Sequence, residues 1–123
     1  MVHSHYIHGE WSVRGDETFT SENPATGEVL GEFARGTETD VQRAVAAASE
    51  AFPDWRARSR IDRAEALWEV YHELRDRHDE LGEIVTRECG KEISEGRADV
   101  TEAWHMVEWA AGDARHPSGD VVP

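Results

Sequence analysis

The sequence is poor in several residue types that characterise whole classes of protein. It contains one cysteine, Cys89, in 123 residues, so no internal disulfide framework can form. No apolar run approaches the roughly 18 residues of a membrane span, and no basic segment followed by an apolar one marks a secretory signal. These features predict a cytoplasmic protein, and its length allows one domain at most.

Positive charge is also scarce. Thirteen basic residues face 26 acidic ones, a net charge of -13, which argues against nucleic acid or an anionic membrane as a partner. Twelve of the thirteen basic residues are arginine, and the acids are spread along the chain. One interpretation is an acidic solvated surface encoded by a GC-rich genome. The other is a halophilic protein, adapted to a high-salt cytoplasm in which repulsion between carboxylates is screened.

Large aliphatic residues are few. Leu, Ile, Val and Phe make up 22 of 123 residues, a proportion that with high net charge is typical of disordered chains. Five tryptophans, fifteen alanines and a strong apolar periodicity indicate instead a folded chain with a small core. We expect it to depend on additional protein around it, and to be partly molten or self-associating alone.

The first third of the chain carries strand and turn signals. Residues 5–13 predict a pair of short strands, and residues 18–22 predict another strand. The Asn-Pro-Ala-Thr-Gly segment at 23–27 predicts a turn, since Asn initiates turns, Pro presets φ and Gly accepts positive φ. Alternation over 28–34 predicts a returning strand, so residues 1–36 form a small antiparallel β region.

A first helix is predicted directly after this region. Thr37 or Thr39 is the expected N-cap, with acidic residues in the first turn. Pro53 is expected to end the helix. The helix presents one apolar stripe, made of Val41, Ala44, Val45, Ala48 and Phe52.

Further helices follow to about residue 111. Ser59, with Asp62 three residues later, predicts a second N-cap, and Gly90 predicts a C-cap. The apolar spacing between them indicates helix with a break near Asp79. A final helix is expected over 93–111. Its inward-facing stripe consists of Val100, Ala103, Trp104 and Val107.

Few residues could carry chemistry, and each has a plain structural interpretation. Cys89 is expected at the end of a helix, where the dipole disfavours a thiolate, so we expect a packing or semi-buried residue. The charged run 76–80 is interpreted as a solvated surface cluster. His3, His5 and His8 could bind a metal, but such spacing on a terminal strand is more often incidental. Glycine-rich phosphate loops of the two common kinds are absent from the sequence.

The order of motifs nonetheless resembles the aldehyde dehydrogenase family. Residues 23–29 (Asn-Pro-Ala-Thr-Gly-Glu-Val) resemble its N-terminal turn, and residues 40–48 resemble its first helix. Later family motifs are similar to 51–55 (Ala-Phe-Pro-Asp-Trp), 88–91 (Glu-Cys-Gly-Lys) and 108–112 (Glu-Trp-Ala-Ala-Gly). The resemblance runs from about residue 6 to the end of the chain, and is faintly closest to semialdehyde dehydrogenases of salt-loving archaea.

The resemblance implies an α/β parent fold of which this chain is the N-terminal part, with short antiparallel strands followed by about four helices. Residues 1–36 would be its β-strand region, and 37–123 the helical part of an incomplete NAD-binding domain. The family oxidises an aldehyde to a carboxylic acid with NAD or NADP. Its catalytic Cys and Glu and its cofactor-binding sheet lie further along, so no catalytic or cofactor-binding residue is carried over here. Cys89 does not match the family's nucleophile.

One site is implied by the resemblance. Many family members hold a monovalent cation between backbone carbonyls just before the Asn-Pro turn and an acidic side chain on the last N-terminal helix. The matching positions are Ser21, Glu22 and Asp99. Oxygen ligands suit a hard cation. A further family ligand lies beyond residue 123.

Two interpretations of function remain open. In the first, the chain is an N-terminal aldehyde dehydrogenase segment, inactive and without cofactor when alone, whose partner is the remainder of that enzyme or a homo-oligomer. In the second, it is a stand-alone helical interaction module or one half of a split enzyme. Its partner would then bind a stripe made of Trp68, Tyr71, Trp104 and Val107.

Overall fold

The computed structural model describes residues 2–12, 17–116 and 119. Five short strands precede four helices in the described residues. The strands are β1 (Val2–His3), β2 (His5–Ile7), β3 (Glu10–Ser12), β4 (Thr18–Glu22) and β5 (Val29–Ala34). The helices are α1 (Glu38–Ala57), α2 (Arg60–Asp76), α3 (His78–Cys89) and α4 (Ile93–Asp113). In the described part of the chain, no helix has the length and apolar character needed to cross a membrane.

The chain divides into two compact units. The first comprises Met1–Arg56 with Arg87–Gly90, and the second comprises Ala57–Thr86 with Lys91–Pro123. The first unit therefore contains the strands and α1, whereas α2, most of α3 and α4 belong to the second. The predicted assignment of residues 37–123 to an NAD-binding domain stays a prediction.

Two small sheets form the strand region. The predicted strand pair is confirmed as the antiparallel hairpin of β2 and β3, in which Tyr6 lies opposite Trp11; Val13 lies outside the described residues. β4 pairs with β5 in antiparallel fashion, as predicted. β1 runs parallel to β5, so the expectation of a wholly antiparallel region is wrong for β1. Two residues are too few to produce a periodic pattern from which a strand can be predicted.

The predicted turn at 23–27 is organised by a buried asparagine. The side chain of Asn23 accepts a hydrogen bond from the Ala25 N–H at 2.9 Å, and its carbonyl accepts one from Gly27 at 2.8 Å. Its own N–H donates to the Glu28 carbonyl at 2.8 Å. Gly27 has φ +75°, the left-handed conformation that favours glycine. The turn thus leads β4 back into β5.

The first helix begins as predicted and ends later than predicted. Thr37 is the N-cap, since its hydroxyl accepts a hydrogen bond from the Asp40 N–H. α1 continues through Pro53 to Ala57, so the expected end at Pro53 is wrong. A proline ring has a φ that suits a helix, and its cost is the hydrogen bond to the residue four before it. That residue, Ser49, is exposed, so water can satisfy its carbonyl group.

The second unit is a packed group of helices. Ser59 caps α2 as predicted, accepting a hydrogen bond from the Asp62 N–H at 3.1 Å. α3 and α4 meet at two buried glycines, Gly82 and Gly96. A Cβ atom added at Gly96 would lie 2.6 Å from the Gly82 carbonyl oxygen, so the two backbones approach directly.

The core is small among the described residues. The buried apolar side chains there are Ala34, Ala64, Val100 and Ala111, and no large side chain in this part of the chain is fully buried. Trp104 and Val107 are half-buried, but Ala103 is exposed, so the predicted inward stripe of α4 is wrong at Ala103. The α4 face that packs is therefore narrower than its apolar pattern suggests.

Candidate functional site

Ser21 and Glu22 lie at the end of β4, directly before the Asn23 turn. Ser21 is paired with Gly31 and Glu22 with Val29, so β5 contributes one extra residue at this point. A bulge of this kind locally interrupts the hydrogen-bond ladder, and the extra residue is Leu30 of β5.

Asp99 lies in the second unit, two turns into α4. Its carboxylate already has a cationic partner, because the Nζ atom of Lys91 lies 2.5 Å from Oδ2. Lys91 is half-buried, in the connection between α3 and α4. The predicted ligands thus come from both units, and the acidic one is engaged by an ammonium group. The set of Ser21, Glu22 and Asp99 stays a prediction.

Cys89 is exposed, so its predicted role as a packing or semi-buried residue is wrong. It is the last residue of α3, and Gly90 follows with φ +68°, as a C-terminal glycine cap does. In the last turn of α3, the Arg87 guanidinium donates a hydrogen bond to the Glu28 carboxylate at 3.0 Å. The thiol lies beside the negative end of the helix dipole, which disfavours a thiolate nucleophile.

The N-terminal histidines have separate surroundings. His3 stacks on Phe33 with ring centroids 4.8 Å apart, and His8 lies in the hairpin turn with φ +56°. The Nε2 atom of His5 is buried without a hydrogen-bond partner. Within residues 2–12, 17–116 and 119, no three His, Cys, Asp or Glu side chains are grouped so that they could hold a metal ion.

His78 has a structural role that the sequence analysis missed. Within the run 76–80 it was expected on a solvated surface, yet it is half-buried between α3 and α4. Its Nε2 atom lies 3.0 Å from the Arg97 carbonyl oxygen, to which it can donate, and its ring contacts Trp104 at 5.0 Å. Asp79 pairs with the Arg97 guanidinium at 2.9 Å. These contacts hold the start of α3 to α4. Because the residues that they join are nearly twenty positions apart, no local sequence pattern predicts them.

Large apolar side chains remain on the surface of both units. On α1, Val41, Val45 and Phe52 are 61%, 60% and 57% exposed. On α4, Met106 and Trp109 are 56% and 68% exposed. They lie three residues apart, so they share one face of the helix.

Known protein sequences similar to this chain are aldehyde dehydrogenases. The model of the aldehyde dehydrogenase family matches residues 11–123. Glutarate-semialdehyde dehydrogenase of Pseudomonas putida is 34% identical over 119 residues, which are 96% of this chain and 25% of that protein. Malonate-semialdehyde dehydrogenase of Bacillus pumilus is 40% identical over 119 residues, which are 96% of this chain and 24% of that protein.

Solved structures lead to the same family. Lactaldehyde dehydrogenase from Escherichia coli superimposes with a TM-score of 0.93 at 29% identity, over 99% of this chain and 26% of that one. Succinate-semialdehyde dehydrogenase from Burkholderia pseudomallei has a TM-score of 0.91 at 34% identity, over 98% of this chain and 25% of that one. The chain spans about a quarter of the length of these relatives, and its strands and four helices match an N-terminal part of their fold. The predicted resemblance is confirmed, and the chain belongs to the aldehyde dehydrogenase family.

Proposed function

We propose that the chain is the N-terminal part of an NAD(P)-dependent aldehyde dehydrogenase of the cytoplasm and does not oxidise aldehydes by itself. The complete enzyme would convert an aldehyde, water and NAD(P)+ into a carboxylic acid, NAD(P)H and a proton. One observation carries the proposal: in a chain of this family, the apolar stripe of α1 faces outward. This chain would supply a structural layer of the enzyme, and the remaining sequence would supply the reacting groups.

The stripe on α1 is evidence for a missing neighbour. Apolar residues at helical spacing normally face a core, yet Val41, Val45 and Phe52 are each more than half exposed. Burying one such side chain contributes about 1.5–3 kcal/mol, so three of them strongly favour a covering layer. The rest of an aldehyde dehydrogenase chain is the covering layer that family membership supports.

The alternative, a stand-alone module, would bind its partner through a partly exposed stripe on the second unit. Trp68, Tyr71, Trp104 and Val107 are all half-buried in the second unit. The rings of Trp68 and Tyr71 meet edge to face, with centroids 5.2 Å apart. The apolar surface left on α4 is that of Met106 and Trp109. A split enzyme, in which the remainder is a separate polypeptide, would use these same surfaces.

We propose a semialdehyde, an aldehyde that also bears a carboxylate, as the substrate class. The support is that relatives 34% and 40% identical to this chain are glutarate- and malonate-semialdehyde dehydrogenases. NAD and NADP are both compatible with this proposal.

A chimaera tests the function directly. This chain replaces the matching N-terminal segment of the Pseudomonas putida glutarate-semialdehyde dehydrogenase, and NAD(P)H formation with glutarate semialdehyde is measured. We expect turnover from the chimaera, and none from the isolated chain or from the relative without its N-terminal segment. Aldehyde oxidation by the isolated chain would overturn the proposal.

A matched pair of variants tests the role of α1 in that chimaera. Phe52→Asp places a charge in the outward stripe, and we expect at least about a tenfold loss of active enzyme, because burying an unpaired carboxylate is costly. Glu50→Gln, on the same helix at an exposed position, should leave the yield unchanged. Equal yields from the two variants would show that α1 is not covered.

A further inference from the structure

We propose that a groove along α2 and the start of α3 binds an amphipathic helix of a partner protein, with basic side chains on both sides of that helix's apolar stripe. The groove is a cavity of about 400 Å³, and all the residues that line it belong to the second unit. The outward stripe of α1 belongs to the first unit. The inference is therefore independent of the proposed function.

The floor of the groove is apolar and has the length of a helix contact. Ala66, Val70 and Leu74 follow one another at intervals of four residues along α2, and Leu81 lines the groove from α3. Eight residues of helix extend about 12 Å, which is about two turns of a bound helix. Val70 is 46% exposed, so a partner's side chain can reach it. Apolar residues of a bound helix, spaced three and four apart, fit a floor of this kind.

The rim of the groove is acidic. Glu69 and Glu73 are both exposed and lie one helical turn apart. The guanidinium of Arg77, which also lines the groove, is paired with the Glu80 carboxylate through two hydrogen bonds of 2.8 and 2.6 Å. Three carboxylates thus accompany one guanidinium, which leaves the groove negative. This charge favours a basic helix and disfavours a second copy of the chain, whose net charge is -13.

A pair of synthetic peptides provides the probe. Each has about 18 residues, or five helical turns, with leucines spaced three and four apart. One peptide has lysine at the positions that flank the leucines, and the other has glutamate there. Fluorescence anisotropy of the labelled peptides measures their binding to the full chain. We expect the lysine peptide to bind at least about tenfold more tightly, and equal binding would overturn the proposal.

Matched variants separate the groove from the general negative charge of the chain. Glu69→Gln with Glu73→Gln should weaken binding of the lysine peptide about three- to tenfold. Glu95→Gln with Glu108→Gln removes the same charge from exposed positions on α4, and should change binding by less than about twofold. Val70→Ser changes no charge and should weaken binding about fivefold. Equal effects of the two double variants, or unchanged binding to Val70→Ser, would contradict the proposal.

Photo-cross-linking locates the bound peptide. A benzophenone in the lysine peptide should label α2 and the start of α3, as mapped by mass spectrometry. Labelling mainly on α1 or α4 would refute the assignment. So would the conversion of an associated chain into a monomer by Val70→Ser, because the groove would then hold a second copy.

The chimaera distinguishes a partner protein from the remainder of the enzyme. Binding of the lysine peptide to a chimaera that oxidises aldehyde would support the proposal, because the groove would then be open in the complete enzyme. Loss of binding in such an active chimaera would mean that the enzyme's own chain covers the groove, and the proposal would be wrong.

Discussion

At the scale of single residues, one glycine determines how closely α3 and α4 approach. A Cβ atom at Gly96 would lie 2.6 Å from the Gly82 carbonyl oxygen and would also collide with the Thr86 hydroxyl. We expect Gly96→Ala to lower the free energy of unfolding by about 1–3 kcal/mol, as overpacking does. Urea denaturation at fixed protein concentration measures this.

Gly112→Ala is the control for that variant. Gly112 also lies on α4, but a Cβ atom there has no neighbour within 4 Å. Alanine should stabilise the helix at this position by about 0.5–1 kcal/mol. If both variants changed stability equally, the close crossing of α3 and α4 would be refuted.

A second glycine contact joins the end of α3 to the Asn23 turn within the first unit. Gly90 has φ +68°, and a Cβ atom there would lie 2.7 Å from Pro24 Cγ. Gly27 has a similar φ of +75° but open space around it. Alanine at Gly27 should cost about 1–2 kcal/mol through backbone strain alone. Alanine at Gly90 should cost about 1–3 kcal/mol more, through the clash.

The urea midpoints of these two variants give the comparison. Because both glycines have a similar positive φ, the difference between the variants reports mainly the steric contact with Pro24. Equal losses would mean that the turn does not pack on the end of α3.

Residue roles that depend on local chemistry could be predicted from the sequence. Thr37, Ser59 and Gly90 were identified because caps act on groups only a few residues away. Cys89 and Ala103 were not, because exposure depends on which face of a helix meets a neighbour. The pair of Lys91 and Asp99 was missed for a similar reason, since nothing in the pattern shows how the connection before α4 folds back.

At the scale of elements, the start of α1 provides a pH-dependent prediction. The Asp40 carboxylate accepts hydrogen bonds from the Thr37 hydroxyl at 2.7 Å and the Thr37 N–H at 3.0 Å. These bonds, with weaker help from His5 and Arg43, hold the pKa of Asp40 below its ordinary value of 3.8. A carboxyl group with a lowered folded-state pKa stabilises the fold above its unfolded pKa, and that stabilisation disappears as pH falls through the folded value.

Asp40→Asn should therefore be less stable than the wild type at neutral pH, and the difference should shrink as the pH falls below about 4. Thr37→Ala should reproduce the effect, whereas Thr39→Ala, the other predicted cap, should not. Thermal unfolding of the chain across this pH range measures the differences. A difference that is independent of pH would contradict the assigned cause.

Helix positions were predicted more accurately than strand partners. Among the described helices, the starts of α1 and α2 follow from their capping residues, and the start of α4 follows from the glycine that ends α3. The end of α1 at Ala57 was missed because Pro53 was taken to stop the helix. The parallel pairing of β1 with β5 joins residues about thirty apart in the chain. A two-residue strand has no periodicity, so only the assembled sheet reveals it.

At the scale of the whole molecule, charge is the dominant feature. A net charge of -13 on 123 residues produces self-repulsion that about 1 M salt screens within roughly 3 Å. We therefore expect the unfolding temperature to rise steeply from low salt to molar KCl. Tetramethylammonium chloride at equal ionic strength should act similarly, because the effect is one of screening. A flat response would remove the hypothesis of a halophilic protein.

The predicted cation site shows that a sequence motif does not reveal the partners of each side chain. Ser21 and Glu22 were assigned through a motif, and the structure places them at a bulge in the first unit. Asp99 belongs to the second unit and is paired with a lysine of the intervening connection. Family membership follows from the order of the motifs, whereas the partner of each side chain follows only from the fold.

We propose that the exposed apolar surfaces of α1 and α4 are covered by further aldehyde dehydrogenase structure in the complete enzyme. The most direct test is thermal unfolding of the isolated chain at a series of protein concentrations. Unfolding is monitored by the near-ultraviolet circular dichroism of the tryptophans. We predict a weak signal whose unfolding temperature rises with protein concentration, because copies of the chain cover one another's exposed faces. A strong signal from a monomer, lost in one sharp transition at the same temperature at every concentration, would contradict the account.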